Sequence, residues 1–132
     1  MKNTRNEVKI QFEEPKYHID EYNKVVVCRL TAKAMIPHNL KQVMWDVDDV
    51  WPLDLEEFET KGIARLSPND DWDENAGMKV ALAKAENKAY LKVGTACQLT
   101  INHLLKQTKT AENFLYKASN VMEHNVEYID KF

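Results

Sequence analysis

The chain has 132 residues, 44% of them hydrophobic, and carries a formal net charge of −3. This length and composition favour one folded domain, exclude a fully disordered protein, and lack the overall basic charge of most nucleic-acid-binding proteins. No apolar run approaches the ~18 residues of a membrane span. The amino-terminal segment MKNTRNEVKI lacks the apolar centre of a signal peptide, so we expect a cytoplasmic protein.

The amino-terminal third of the chain predicts two strands. Residues 7–14, EVKIQFEE, alternate so that Val8, Ile10 and Phe12 share one face of a half-buried strand. Residues 16–24, KYHIDEYNK, are interpreted as the turn that follows. Residues 25–35, VVVCRLTAKAM, then form a longer second strand with an alternating apolar face.

A long insertion precedes the third strand. Pro37 and Pro52 bracket a segment without clean alternation, in which Asn39 is expected to cap a short helix from Leu40 to about Trp45. The third strand is predicted over residues 56–67, EEFETKGIARLS. Its small residues, Gly62 and Ala64, indicate that another element packs closely over this strand.

The second half of the chain predicts helices. Ser67, Pro68 and Asp70 have the form of a capped first turn, and Asp73 offers a second cap for the main helix. Small side chains then recur every four residues and would let this helix lie close to a sheet: Gly77, Ala81, Ala85 and Ala89. Gly94 is expected to bend or end the helix.

The last part of the chain predicts a final amphipathic helix, capped by Thr108 or Thr110. Its apolar positions follow helical spacing: Phe114, Leu115, Ala118, Val121, Met122 and Ile129. This stripe fits either packing on its own domain or pairing with a second copy, and we expect a homodimer formed through the carboxyl-terminal helices. The predicted architecture is α+β, a three-stranded antiparallel sheet packed by a long helix with a helical extension. We expect residues 1–132 to form a single domain, with sheet and main helix in 1–93 and the extension in 94–132.

The junction between the third strand and the main helix resembles a pattern in small phage and prophage proteins of unassigned function. In that pattern a strand ends in a small residue, and a Pro-x-Asp-x-aromatic-Asp turn, a Gly and a Leu-Ala-rich helix follow. The matching positions span about residues 57–92: Ala64, Pro68, Asp70, Trp72, Asp73, Gly77, Val80, Ala81 and Ala85. The resemblance implies a fold similar to double-stranded-RNA-binding domains. The long insertion and the helical extension depart from it.

Catalytic and metal-binding motifs are absent from the sequence. There is no nucleophile elbow, P-loop or dinucleotide fingerprint, and the four histidines are scattered without metal-ligand spacing. Cys28 and Cys97 are expected to be reduced, largely buried thiols. The acidic cluster at residues 70–74 lacks the spacing of a calcium loop and is typical of helix capping. We therefore expect no enzyme activity, no cofactor and no metal, and interpret His103 as a partly buried, satisfied histidine.

The insertion carries the most distinctive side chains of the sequence. Residues 37–60 hold seven acidic side chains against Lys41 alone, interleaved with Trp45 and Trp51. The tryptophans either anchor the loop to the core or form a docking surface in which carboxylates attract a basic partner. The docking hypothesis assigns partner binding to Asp46, Asp48, Asp49, Trp51, Glu56 and Glu57. It predicts a phage accessory protein that inhibits a host defence complex in the bacterial cytoplasm, in the manner of anti-CRISPR proteins, by blocking a basic nucleic-acid-binding groove.

Two alternative functions remain open at this point. The first is a sponge for a nucleotide signal, of the anti-Thoeris or anti-CBASS kind, with Trp72 for the base and Arg65 and Lys61 for phosphates. The second is a nucleic-acid-binding phage protein that uses Lys84, Lys88 and Lys92. The acidic start of the main helix would repel phosphate, which argues against direct binding of nucleic acid there.

Overall fold

The protein is an α+β molecule in which one long helix packs on an antiparallel sheet. The structure, a computed structural model, describes residues 9–67 and 69–132. In chain order its elements are β1 (Ile10–Phe12), β2 (Lys16–Asp20), β3 (Val25–Ala34), α1 (His38–Trp45), a 3₁₀ turn (Trp51–Leu53), β4 (Phe58–Arg65) and α2 (Glu74–Asp130). None of the helices in the described ranges has both the length and the apolar character needed to cross a membrane.

Strand β3 is the centre of the sheet. Strand β4 pairs along one edge of β3, from Val25 opposite Arg65 to Ala32 opposite Phe58. Strands β1 and β2 share the other edge, because β2 pairs with the beginning of β3 and β1 with its end. The sheet therefore has four strands, and the prediction of three is wrong.

The fourth strand, β2, lies where the sequence was interpreted as a turn. Pro15 interrupts the edge because proline has no backbone N–H to donate to a ladder, and the chain re-enters the sheet at Lys16. Tyr17 and Ile19 face the core and are half-buried. Val8, which the sequence places on the first strand, lies outside the described residues.

The actual turn is the β2–β3 hairpin over residues 21–24. The Asp20 carboxylate accepts hydrogen bonds from the backbone N–H of Asn23 at 3.0 Å and from its side-chain amide at 2.7 Å. Lys24 adopts φ of 54°, the left-handed conformation that tight hairpins need. Both hydrogen bonds favour the charged carboxylate and lower the pKa of Asp20.

Helix α2 lies against the sheet through its small residues, as predicted. Gly77, Ala81, Ala85 and Ala89 are buried, and the buried positions of the helix continue to Ala96 and Thr100. On the sheet side the closest approach is at Gly62, where an added Cβ would lie 2.6 Å from the backbone nitrogen of Ala85. The buried Thr60 hydroxyl donates to the Ala85 carbonyl oxygen at 2.7 Å, which ties the two elements together.

Helix α2 is a single helix of 57 residues, so the prediction that it ends at Gly94 and the prediction of a separate last helix are both wrong. No proline interrupts residues 74–130, and one exposed glycine costs only about 1 kcal/mol, which the flanking turns offset. Thr110 is not a cap, because its hydroxyl donates to the Lys106 carbonyl inside the helix at 3.1 Å. Thr108 likewise lies in mid-helix.

The start of α2 is capped by Asp73, whose carboxylate accepts from the Ala76 N–H at 3.1 Å. The Ser67–Asp70 segment is a separate turn, closed by the Asp70 N–H on the Ser67 carbonyl at 3.0 Å. It is not the first turn of the helix. Pro68, predicted as its first helical position, lies outside the described residues.

Candidate functional site: the acidic tryptophan insertion

The insertion between β3 and β4 is held to the core by aliphatic side chains. Met44, Val47, Val50 and Leu55 are buried against Phe58 and two alanines of α2. Backbone hydrogen bonds of 3.0–3.1 Å link Met44 to Val47, Val47 to Val50 and Val50 to Leu53, so the segment advances in helical turns. The predicted helix is confirmed, but it begins at His38 after Pro37 as the N-cap residue. Asn39 therefore lies inside the first turn, where its side-chain oxygen accepts from the Leu40 N–H at 3.0 Å.

The tryptophans are not the residues that anchor the insertion. Trp45 is 55% exposed and Trp51 is 67% exposed, whereas the aliphatic anchors are almost fully buried. The Trp51 indole N–H donates to the backbone carbonyl oxygen of Trp45 at 3.0 Å, which fixes the Trp51 ring relative to the end of α1. Two large aromatic side chains therefore lie at the surface, one of them held by a hydrogen bond, and exposed aromatic side chains are typical of a binding surface.

The two tryptophans stand over a groove of about 470 Å³. Apolar side chains form much of its lining: Ala34, Ile36, Met44, Val50 and Leu55. Lys41, Asp54 and Glu56 supply the polar part of the lining, and the Lys41 ammonium lies 5.9 Å from the Trp45 ring centroid. A groove of this volume has room for one or more large apolar side chains, and the exposed indole faces attract cations.

All six of the predicted partner-binding residues are exposed. Glu56 forms an ion pair with Lys41 at 3.0 Å, which partly neutralises it. Asp46, Asp48 and Asp49 make no ion pair with any residue in the described ranges. These three carboxylates lie between α1 and Trp51 in the chain, and together with Asp54 and Glu56, which line the groove, they make the surface of the insertion negative.

Most of the lysines proposed to contact nucleic acid are engaged within the fold. Lys84 donates to the Ile63 carbonyl oxygen at 2.9 Å, and the Lys92 ammonium lies 4.5 Å from the centroid of the Phe58 ring. Lys88 is exposed between them. The row therefore stabilises the packing of α2 on β4 and offers little cationic surface.

A cationic surface lies instead on the sheet face that points away from α2. Lys16, Arg29 and Lys61 are directly opposite one another across β2, β3 and β4, and all three are exposed. Like charges at paired positions destabilise a sheet, so this row has an energetic cost in the isolated chain. The sequence alone does not show this row, because the alignment depends on the register of β2, a segment that the sequence predicts to be a turn.

The structure does not bring the proposed nucleotide-binding residues together. Trp72 packs near Val26 and Cys28 on the face of the sheet that carries α2. Lys61 and Arg65 occupy the alternate positions of β4, which project from the opposite face.

The acidic cluster at the start of α2 consists of a helix cap and solvent-exposed carboxylates. Asp73 is engaged with Ala76, and Asp70, Asp71 and Glu74 are exposed. Across residues 9–67 and 69–132, no three His, Cys, Asp or Glu side chains converge in a way that would hold a metal ion. His103 is half-buried at the point where α2 leaves the sheet.

Comparisons with known proteins found no match: no family model, no curated protein and no solved structure corresponds to this chain.

Proposed function

We propose that the protein acts by binding, and that the acidic tryptophan insertion docks on a basic surface of another protein. The observation that carries the proposal is the pair of exposed tryptophans, Trp45 and Trp51, fixed over an apolar groove beside carboxylates without ion-pair partners. Such an arrangement combines anchor area at low entropic cost with long-range attraction of cations. The fitting partner is a segment with one large apolar side chain flanked by Lys or Arg.

The resemblance of residues 57–92 to small phage proteins supports a more specific form of the proposal. In that form the chain is a phage accessory protein that occupies a basic nucleic-acid-binding groove of a host defence complex, in the manner of anti-CRISPR proteins. A groove built for phosphates attracts clustered carboxylates by the same electrostatics. The similarity of the strand–turn–helix motif to double-stranded-RNA-binding domains belongs to this proposal as well.

Capture from bacterial lysate at graded salt concentrations tests the docking surface. The immobilised full chain should retain basic proteins at low salt and release them as salt rises, because the attraction is screened. The combined variant Asp46→Lys, Asp48→Lys, Asp49→Lys should lose these proteins. If it captures the same set of proteins as the wild type, the docking surface is wrong.

The matched control changes the same amount of charge at the other end of the sheet. Glu21, Asp70 and Asp71 are exposed acids near the β2–β3 turn and the start of α2. The combined variant Glu21→Lys, Asp70→Lys, Asp71→Lys should retain the captured proteins. Equal losses in both variants would show that only net charge, and not the insertion, governs binding.

A second candidate function is favoured by the row formed by Lys16, Arg29 and Lys61. These paired cations would gain stability from a bound polyanion, so we propose a nucleic acid backbone as the ligand of the open sheet face. Fluorescence anisotropy with a labelled single strand and a labelled duplex should show binding that weakens as salt rises. The variant Arg29→Glu, Lys61→Glu should abolish it, and equal binding by this variant and the wild type would contradict the proposal.

A further inference from the structure

The last quarter of the chain packs against no other part of the described residues, 9–67 and 69–132. The last buried residue of α2 is Thr100, and the remaining residues, 101–132, form an arm that extends beyond the core. At 1.5 Å per residue its helical part is about 45 Å long. Except for the half-buried His103, every residue of the arm is exposed, including Phe114 at 75%, Leu115 at 67% and Met122 at 67%. An apolar stripe of this size on a helix indicates a binding face.

The stripe follows the spacing of a coiled coil. Alternating steps of three and four residues connect the positions Ile101, Leu104, Thr108, Ala111, Leu115, Ala118, Met122, Asn125, Ile129 and Phe132. This average period of 3.5 residues favours pairing with a second helix through a continuous seam. Only Thr108 and Asn125 are polar along the seam.

We propose that the arm pairs with the arm of a second copy in antiparallel orientation, centred between Tyr116 and Lys117. This inference is independent of the proposed binding function. In this register the two polar seam residues, Thr108 and Asn125, meet in the same layer. They can therefore hydrogen-bond to each other, and neither is left against an apolar side chain.

The apolar layers also match in size in this register. Near the centre, Leu115 lies opposite Ala118, and Ala111 lies opposite Met122, so that each small side chain faces a large one. Toward the ends, Leu104 faces Ile129. A parallel dimer in register would instead place each alanine against its own copy, which leaves gaps, and would create two separate polar layers.

The charges along the arm favour the same orientation. Its first half, residues 101–116, carries Lys106 and Lys109 with one acid, Glu112. Its second half, residues 117–132, carries Glu123, Glu127 and Asp130 with two cations, Lys117 and Lys131. Most of these charges lie away from the seam and act through the longer-range field: antiparallel pairing brings the net positive half of each arm beside the net negative half of the other, whereas parallel pairing brings like net charges together.

Sedimentation velocity of the full chain tests self-association. The wild type should sediment as a dimer, and Leu115→Glu should raise the dimer dissociation constant by about 100-fold or more, because two carboxylates would enter the central layers. Leu115 touches no part of the sheet core, so the thermal melting of the variant should show the fold intact. Asn120→Glu, on the polar side of the arm, is the matched control and should remain dimeric. A wild type that stays monomeric, or a Leu115→Glu variant that stays dimeric, overturns the proposal.

Disulfide crosslinking tests the orientation. Equal amounts of Leu104→Cys and Ile129→Cys variants are mixed and oxidised, with each variant alone and the parent chain, which retains Cys28 and Cys97, run alongside. Antiparallel pairing predicts a crosslinked dimer in the mixture and none beyond the parent level in either variant alone. Crosslinking of each variant with itself would show a parallel dimer, and absence of any additional crosslink would also contradict the register.

Discussion

Gly62 sets how closely helix α2 approaches the sheet. A Cβ at this position would overlap the carbonyl oxygen of Ala81 and lie 2.6 Å from the backbone nitrogen of Ala85. These obstacles are backbone atoms, so no side-chain rotation relieves them. Gly94, in contrast, has nothing within 4 Å of an added Cβ.

The two glycines therefore predict opposite effects of the same substitution. Gly62→Ala should lower the free energy of unfolding by about 3 kcal/mol or more, because the helix must shift away from the sheet to make room for the added methyl group. Gly94→Ala should raise it by about 1 kcal/mol, because alanine is the better helix former. Urea denaturation of both variants measures the difference, and a neutral Gly62→Ala would show that the close packing is wrong.

Cys28 and Tyr17 predict a loss of stability at alkaline pH. Burial, together with the nearby Glu86 carboxylate, raises the pKa of the Cys28 thiol, and burial likewise raises the pKa of the Tyr17 phenol. Both groups favour their protonated forms in the folded state. Their contribution is therefore complete below the unfolded-state values of about 8.5 for cysteine and 10 for tyrosine, and is lost as pH rises through the higher folded-state values.

Urea unfolding as a function of pH tests this dependence. The wild type should lose stability as pH rises above about 8.5. Cys28→Ala should flatten the first part of this decline, while Cys97→Ala, which leaves the Tyr17–Cys28 pair in place, should retain it. Identical profiles for wild type and Cys28→Ala would exclude the thiol as the source.

At the scale of elements, the long strand, the third predicted strand and the small-residue helix face could be predicted from periodicity. Strand β2 could not be recognised in the same way, because Pro15 separates it from β1 and its pairing depends on the register with β3. The continuity of α2 is not evident from the sequence, because Gly94 and Thr110 can each lie either at the end of a helix or within one. Only the cooperativity of the whole helix determines that both lie within it. For the candidate site, the cluster of acidic and aromatic residues in the insertion is visible in the sequence. The exposure of the two tryptophans is not, because it depends on which neighbouring side chains fill the core.

We expect substitutions in the insertion to separate its effect on partner binding from its effect on the stability of the fold. Trp51→Ala should weaken partner capture by about tenfold or more, because it removes a large anchor from the proposed docking surface. It should cost about 1 kcal/mol of stability, because the ring is mostly exposed and loses one hydrogen bond, to Trp45. Parallel capture and melting experiments distinguish the two effects, and Met44→Ala, which changes a buried anchor, should instead cost about 2–5 kcal/mol.

At the scale of the whole molecule, the sheet and the arm are predicted to be energetically separable. The buried core ends at Thr100, so a chain truncated after Lys106 should keep its strands and melt cooperatively. The same truncation should be monomeric, because the pairing seam is removed. Circular dichroism and light scattering measure both properties, and an unfolded truncation would show that the arm contributes to the core.

The direct contact between the backbone of α2 and Gly62 has a mechanical consequence. Because the helix is seated on the sheet without long side chains between them, its direction is fixed at its base and it continues unbroken to Asp130. Asp130 lies about 68 Å along the helix from Ala85, so a tilt of about 5° at Gly62 would displace the far end of the arm by about 6 Å. A small rearrangement around Gly62 would therefore produce a larger displacement at the carboxyl-terminal end of the helix.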